Sequence, residues 1–229
     1  YKPNLFTYLS EYYAGISTLG MRPVVILDTS AVIDLEAAFR AKYGALKGHQ
    51  HLEQLVTTTA SRGLRFVIPP LILTEMEKHH LYHRRRNIPE ISGATLRQLK
   101  EQAMHTHEGV TSWADPEEAA SVDTFRYELR GLYYETISGR KATNDPISEN
   151  DWSVIDTALA IAIYSAGVFK RNLEEGIQPP LRGCSRIAVL SSDRHITFGL
   201  EQAFNLPKGV RLADYLKPIN IKEFDCNEP

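Results

Sequence analysis

The sequence predicts an α/β fold: a mostly parallel, twisted sheet with helices on both faces. Three apolar, β-branched runs have the length of buried strands, at 24–27, 64–70 and 186–193. Continuous apolar runs of this kind are typical of parallel strands, which are buried on both faces. Stretches with helical spacing separate the runs, and strands that alternate with helices form parallel sheets.

Length and composition favour a single globular domain that carries an insertion. The chain has 229 residues, a formal net charge of −2 and two cysteines, Cys184 and Cys226, without metal-site spacing. The near-neutral charge argues against a general nucleic-acid coat but allows a local basic groove. The few cysteines favour a reducing compartment, so we expect a cytoplasmic protein. No apolar run approaches the roughly 20 residues of a membrane span, so we expect no membrane partner.

The elements follow one another in a regular order. Residues 1–21 form an N-terminal extension whose aromatic-rich helix packs on the domain or on a partner, which could be a second copy of the chain. Residues 22–229 form the main domain, with a helical and loop insertion at about 87–146. Further helices are predicted at 33–46, 51–62, 71–86, 94–105, 116–132, 151–166 and from 196, with short strands near 210–212 and 219–221.

Four acidic residues stand where chemistry is expected in such a fold. Asp28 and Asp193 each follow a strand, Glu75 lies in the first turns after the second strand, and Asp151 opens the most apolar helix. The carboxyl ends of parallel strands share one edge of the sheet, so these side chains could converge there. Clustered carboxylates repel one another unless a cation neutralises them, and oxygen ligands suit Mg²⁺ or Mn²⁺. Such ions activate water for in-line attack on phosphate, so the sequence predicts metal-assisted phosphodiester hydrolysis.

Each acid also has a purely structural interpretation. Asp28 and Asp193 are suitable N-cap residues for the helices that follow them. Asp151 could form a capping box with Ser148, three residues earlier. Glu75 could simply interact with the helix dipole. Glu77 is a neighbouring competitor for the place in the site, but two residues along a helix point it to another side.

The ordered set of motifs resembles the PIN-domain nucleases over roughly residues 24–212. The matching pieces are Val25-Ile-Leu-Asp-Thr-Ser30, Ile68-Pro-Pro-Leu-Ile-Leu-Thr-Glu75, Asn150-Asp-Trp-Ser-Val-Ile-Asp-Thr-Ala158 and Val189-Leu-Ser-Ser-Asp-Arg194. The resemblance implies a PIN-like fold and cleavage of single-stranded or structured RNA with Mg²⁺ or Mn²⁺. It implies that Asp28, Glu75, Asp151 and Asp193 are the catalytic metal ligands. It also implies that Ser30 and Ser192 hydrogen-bond ligands or waters beside them.

The chain departs from the family pattern in three places. The long gap between Glu75 and Asp151 resembles the larger RNA-processing members rather than the compact toxins. Ser191-Ser192-Asp193 stands where the family commonly has Thr-Asn-Asp. Trp152 follows Asp151 where some members have a second acid; Asp156 is a substitute of second rank, because five residues along a helix rotate it by about 140°.

Basic residues near the acids are candidates for substrate binding. His79, His83 and Arg86 follow Glu75 at helical spacing, and Arg140 and Lys141 lie in the loop before Asp151. These side chains could contact RNA phosphates, although a charged run on a helix is often only a solvated face. His195, directly after the Asp193-Arg194 pair, could contact a phosphate or merely begin a helix.

Other functions fit the same residues. The main alternative is a catalytically inactive PIN-like module that binds RNA or protein. A DNA-directed nuclease is another, because the residues do not distinguish the sugar. A phosphatase with Asp28 as its nucleophile is disfavoured, because Ser30 occupies the place of the second acid that such chemistry typically uses.

Overall fold

The computed structural model describes residues 1–83, 90–105, 116–139, 147–205 and 211–227. Its five strands form one parallel sheet in the order β3-β2-β1-β4-β5. The strands are β1 (Arg22–Leu27), β2 (Arg65–Val67), β3 (Ala103–Met104), β4 (Ser185–Ser191) and β5 (Leu216–Asn220). The predicted α/β class is therefore confirmed.

Helices enclose the sheet. They are α1 (Leu5–Tyr12), α2 (Thr29–Tyr43), α3 (Ala45–Ser61), α4 (Pro70–His83), α5 (Gly93–Gln102), α6 (Pro116–Gly139), α7 (Glu149–Glu174) and α8 (Arg194–Ala203). Successive strand residues point to opposite faces, and both Val24 and Val25 are at most 1% exposed. Both faces of the central strand are thus covered, as a three-layer fold requires.

The strand order reverses between β1 and β4. From β1 the chain proceeds outward through β2 to β3, whereas β4 and β5 lie on the other side of β1. The two central strands pair in register from Arg22 opposite Ser185 to Leu27 opposite Leu190. The backbone N–H of Asp28 then donates to the carbonyl of Leu190 at 3.1 Å. Ligand sites of open α/β sheets lie just beyond such a reversal, at the carboxyl ends of the strands.

The N-terminal helix belongs to the domain core. Leu5 of α1 is fully buried. The Tyr12 hydroxyl donates to the carbonyl of Ile187 at 2.9 Å, and the Tyr13 hydroxyl donates to that of Val24 at 2.5 Å. Because both bonds reach the central strands, α1 packs on the sheet, one of the two arrangements that the sequence allowed. Self-association of the chain stays a prediction.

Several boundaries differ from the predicted ones. The break between α2 and α3 falls at Gly44, whose φ of +84° favours glycine, rather than near residues 47–50. The predicted insertion contributes the edge strand β3 to the sheet. One strand, β5, occupies the region after residue 211, where two were expected, and residues 212–214 form a 3₁₀ turn.

Helix α7 is the long apolar element of the fold. By length and composition it is the one helix in the described residues that could cross a membrane, but 50% of its apolar window is buried inside the domain. A core helix of a globular protein meets the same criterion. Val154, Ile155 and Ala158 are fully buried, so α7 acts as a core helix that carries Asp151 at its first turn.

Candidate metal centre

Asp28 lies in the turn between β1 and α2, where it is only 4% exposed. Its backbone occupies the N-cap position of α2, but its side chain makes no capping hydrogen bond. Instead, Oδ2 accepts hydrogen bonds from the hydroxyls of Ser30 and Ser191, the latter at 2.9 Å. The carboxylate is therefore held toward the end of β4, and the capping interpretation does not describe this side chain.

Serines join the ends of the two central strands. The Ser191 hydroxyl, besides donating to Asp28, accepts from the backbone N–H of Asp193 at 2.8 Å. The backbone N–H of Ser192 donates to the Ser30 hydroxyl at 2.9 Å, while the Ser192 hydroxyl donates to Asp34. The Ser30 hydroxyl thus lies beside the carboxylate of Asp28. Of the two serines at the end of β4, Ser191 is the one whose hydroxyl bonds Asp28, whereas the hydroxyl of Ser192 bonds Asp34.

Buried negative charge makes Asp28 a weaker acid than usual. Burial raises the pKa of Asp28 from 3.8 to about 6; the Ser30 and Ser191 hydrogen bonds lower it, and the charges of Glu75 and Asp151 raise it further.

Asp151, Asp193 and His195 form a compact group beside Asp28. One ligand atom from each lies within 4.8 Å of the others, and together they could hold a metal ion. Burial raises the pKa of Asp151, the hydrogen bond with Ser148 lowers it, and the charge of Asp193 raises it.

The capping roles considered for two of these acids are also present. Asp151 forms a capping box with Ser148, with hydrogen bonds of 3.1 and 3.2 Å, and Asp193 accepts from the His195 N–H at 2.7 Å. Capping and clustering coexist because each carboxylate has two oxygens and sits at a helix start that faces the site. The caps hold the carboxylates in place at the edge of the sheet.

Glu75 is connected to the same edge through α7. The Asn150 side-chain amide donates to Glu75 Oε2, which ties α4 to the residue that precedes Asp151. Its competitor Glu77 instead pairs with Lys100 of α5. Of the two glutamates, Glu75 is therefore the one that faces the acidic group.

Other predicted residues lie in different surroundings. Asp156 pairs with Arg126 at 2.6 Å and lies 4.0 Å from Arg130, both on α6. Burial raises its pKa to about 6, although both arginines lower it. The structure therefore places Asp156 in the α6–α7 contact rather than in the acidic group, because the helix turns it away from Asp151. His79 bonds Glu90 at 2.7 Å. Arg86, Arg140, Lys141 and the side chain of His83 lie outside the described residues.

Three residues at the site were not predicted as metal ligands or as substrate-binding residues. Ser191 and Asn150 orient Asp28 and Glu75, and both lie inside the quoted motifs. His195 joins Asp151 and Asp193, although the sequence suggested only a phosphate contact or a helix start. The sequence signal for His195 was its place two residues after a strand-end acid, where the helix begins.

The chemistry of these donors fits a divalent cation. The group offers carboxylates from Asp151 and Asp193 and an imidazole from His195. Asp28 is joined to Asp193 through Ser191, and Glu75 is bonded to Asn150, the residue before Asp151. Two ligands of one Mg²⁺ are at most about 4.2 Å apart, since each bond is about 2.1 Å long. A separation of up to 4.8 Å is therefore closed by small side-chain rotations. A hard cation would also offset the repulsion that Asp28 experiences.

A separate apolar cavity of about 510 Å³ lies between α1, α2, α3 and the sheet. Its wall includes Leu5, Val25, Leu35 and Val56, and Arg62 is the one charged residue among the described residues that line it. A large apolar pocket is the usual first candidate for a ligand site. Without carboxylates or imidazoles, however, this cavity lacks the groups for metal-assisted hydrolysis, and the acidic group is the better candidate for catalysis.

No family model, curated protein or solved structure matches this chain.

Proposed function

We propose that this protein is a divalent-metal-dependent ribonuclease of the PIN type. One observation carries the proposal: carboxylate oxygens of Asp151 and Asp193 and a ring nitrogen of His195 lie within 4.8 Å of one another. Hydrogen bonds through Ser191 and Asn150 tie Asp28 and Glu75, on two other elements, to neighbouring residues of that group. The sequence places these four acids far apart, so these links support a shared role in binding. RNA as the substrate is supported by the resemblance of the four motifs to PIN-domain nucleases.

The residues of the chain would divide the work as follows. Asp28, Glu75, Asp151 and Asp193 would hold Mg²⁺ or Mn²⁺. Ser191 and Ser30 fix the orientation of Asp28 by hydrogen bonds to one oxygen. A bound divalent ion supplies charge neutralisation at the phosphodiester and a lowered pKa for the attacking water.

Substrate contacts are proposed on the rim of the acidic group. His79 follows Glu75 on α4 and bonds Glu90, which would hold its ring in place. His83 and Arg86 continue that stretch of sequence, while Arg140 and Lys141 precede Asp151. The positive charges of Arg86, Arg140 and Lys141 and the ring nitrogens of the two histidines would contact phosphate oxygens and thereby position the strand.

The test is cleavage of end-labelled RNA, single-stranded and hairpin, with DNA of the same sequence alongside. We expect cleavage of RNA with Mg²⁺ or Mn²⁺, none with a chelator, and a loss of at least about a hundredfold in Asp28→Asn, a scale typical of lost electrostatic stabilisation. Asp156→Asn is the matched variant, because its carboxylate pairs with Arg126. It should keep cleavage within about threefold, since it removes no transition-state contact.

Each competing function predicts a different outcome. RNA binding without metal-dependent cleavage would favour the inactive binding module. Preferential cleavage of DNA would favour the related DNA nuclease. Full activity of Asp28→Asn, with folding verified by circular dichroism, would overturn the proposed role of the acidic site.

A further inference from the structure

A nitrogen donor belongs to the acidic group. His195 lies in the first turn of α8, and a ring nitrogen is within 4.8 Å of carboxylate oxygens of Asp151 and Asp193. Its side chain is 26% exposed and that of Asp193 is 39% exposed, so both are reachable by an ion from solvent. Nδ1 of the ring is 3.8 Å from Oδ1 of Asp193. The ring and the carboxylates therefore border one small volume.

The position of the ring is set by the backbone. Asp193 caps α8 through the His195 N–H at 2.7 Å, which fixes where the histidine side chain leaves the helix. Asp193 is itself held by the Ser191 hydroxyl, which also bonds Asp28. The histidine is thus positioned by the same hydrogen bonds that position the acids, so that ring and carboxylates are presented together.

This donor set discriminates among divalent ions. Mg²⁺ prefers oxygen ligands and retains its waters, so an imidazole adds little to its binding. First-row transition ions accept imidazole nitrogen together with carboxylate oxygen. We propose that His195 is a metal ligand, and that Asp151, Asp193 and His195 form a mixed oxygen and nitrogen site that selects Mn²⁺ over Mg²⁺.

The inference rests on the proposed function, because the ion concerned is the one that the nuclease would use. Its test nevertheless measures binding rather than cleavage. The full chain, free of any histidine tag, is titrated with Mn²⁺ and with Mg²⁺ by calorimetry at about pH 8, above the ordinary pKa of histidine. Pulsed electron paramagnetic resonance of the Mn²⁺ complex then reports whether a nitrogen nucleus is bonded to the ion.

His195→Ala and His195→Gln are compared with His49→Ala, which removes a histidine on the exposed side of α3. The capping bond uses the backbone N–H of residue 195 and survives these substitutions. We expect nitrogen modulation in the wild type and in His49→Ala and none in either His195 variant. The affinity for Mn²⁺ should fall by at least about tenfold in both, the scale typical of lost partners of metal ligands, and that for Mg²⁺ by less than about threefold.

The outcomes separate this inference from the nuclease proposal. Equal losses for both ions, or nitrogen modulation that survives in His195→Ala and His195→Gln, would overturn the assignment of His195. Metal-dependent cleavage would leave the nuclease proposal standing in that case. Conversely, nitrogen-dependent Mn²⁺ binding without any RNA cleavage would support the metal site and remove the ribonuclease.

Discussion

The buried charge of Asp28 should destabilise the metal-free protein. Burial raises the pKa of this carboxyl from 3.8 to about 6, against hydrogen bonds from Ser30 and Ser191 that lower it. The folded chain therefore binds this proton more tightly than the unfolded chain does. Between about pH 4 and about pH 6, the contribution of Asp28 to stability is lost as pH rises, because the folded state must release a proton that the unfolded state has already released. The difference between the folded and unfolded pKa values of Asp28 corresponds to about 3 kcal/mol of free energy.

Asp28→Asn removes this charge and keeps an oxygen that can accept from Ser30 and Ser191. At about pH 8 with a chelator, we expect the free energy of unfolding to rise by about 1–3 kcal/mol. The upper value is the full electrostatic term. The lower value allows for the new amide N–H groups, which need hydrogen-bond acceptors of their own. For a domain of this size the gain corresponds to about 2–12 °C in Tm.

Urea unfolding followed by circular dichroism at about pH 8 and about pH 4 measures this effect. The gain should be present at the higher pH and small at the lower one, where the folded carboxyl stays protonated and the unfolded one is only partly ionised. Asp214→Asn, an exposed carboxylate, is the control and should change stability by no more than about 0.5 kcal/mol at either pH. A variant less stable than the wild type at about pH 8, or a gain independent of pH, would show that the charge of Asp28 does not destabilise the fold.

Substitutions at three further positions test the packing of the helices. A Cβ at Gly48 would lie 2.6 Å from backbone atoms of Arg40, so Gly48→Ala should cost about 3 kcal/mol by forcing α3 away from α2. Gly131→Ala, with nothing within 4 Å, should instead stabilise α6 by about 1 kcal/mol; equal effects of the two variants in urea unfolding would contradict the close approach of α3 to α2. Glu36 is fully buried, accepts from the Ser92 N–H at 2.9 Å and pairs with Arg40. Glu36→Ala should therefore cost about 3–5 kcal/mol and Glu36→Gln less, and a loss below about 1 kcal/mol in Glu36→Ala would count against this buried pair.

The sheet could be predicted because its central strands have a clear local signal. Residues 24–27 and 187–190 are apolar without interruption, and each run ends at polar residues that begin a helix. Strand β3 has no such signal, since Ala103–Met104 is too short to show a period. It forms because β2 offers a partner, as the bond from the Ile68 N–H to the Met104 carbonyl at 2.8 Å illustrates. The break at Gly44 does have a local signal, because a glycine interrupts the helical pattern there. The apolar spacing continues past this glycine, so the helix was predicted to extend to residue 46.

The sequence indicates which acids lie near the candidate site, but not which side chains hydrogen-bond to them. Strand ends and helix starts locate Asp28, Asp151 and Asp193 on one edge, which follows from parallel topology. Whether a strand-end aspartate caps its helix or turns to a neighbour depends on a distant residue: Ser191 bonds Asp28 across 163 positions. The same holds for Asn150 with Glu75, 75 positions apart. Local sequence carries no information on such pairs.

Anomalous diffraction from a crystal soaked in Mn²⁺ would show directly whether the acidic group binds a metal ion. We expect a peak about 2.0–2.6 Å from carboxylate oxygens of Asp151 and Asp193. The same soak of Asp28→Asn should weaken or remove that peak. A well-ordered crystal that shows no peak there, or Mn²⁺ bound only elsewhere on the surface, would contradict the metal centre and the hydrolysis proposed from it.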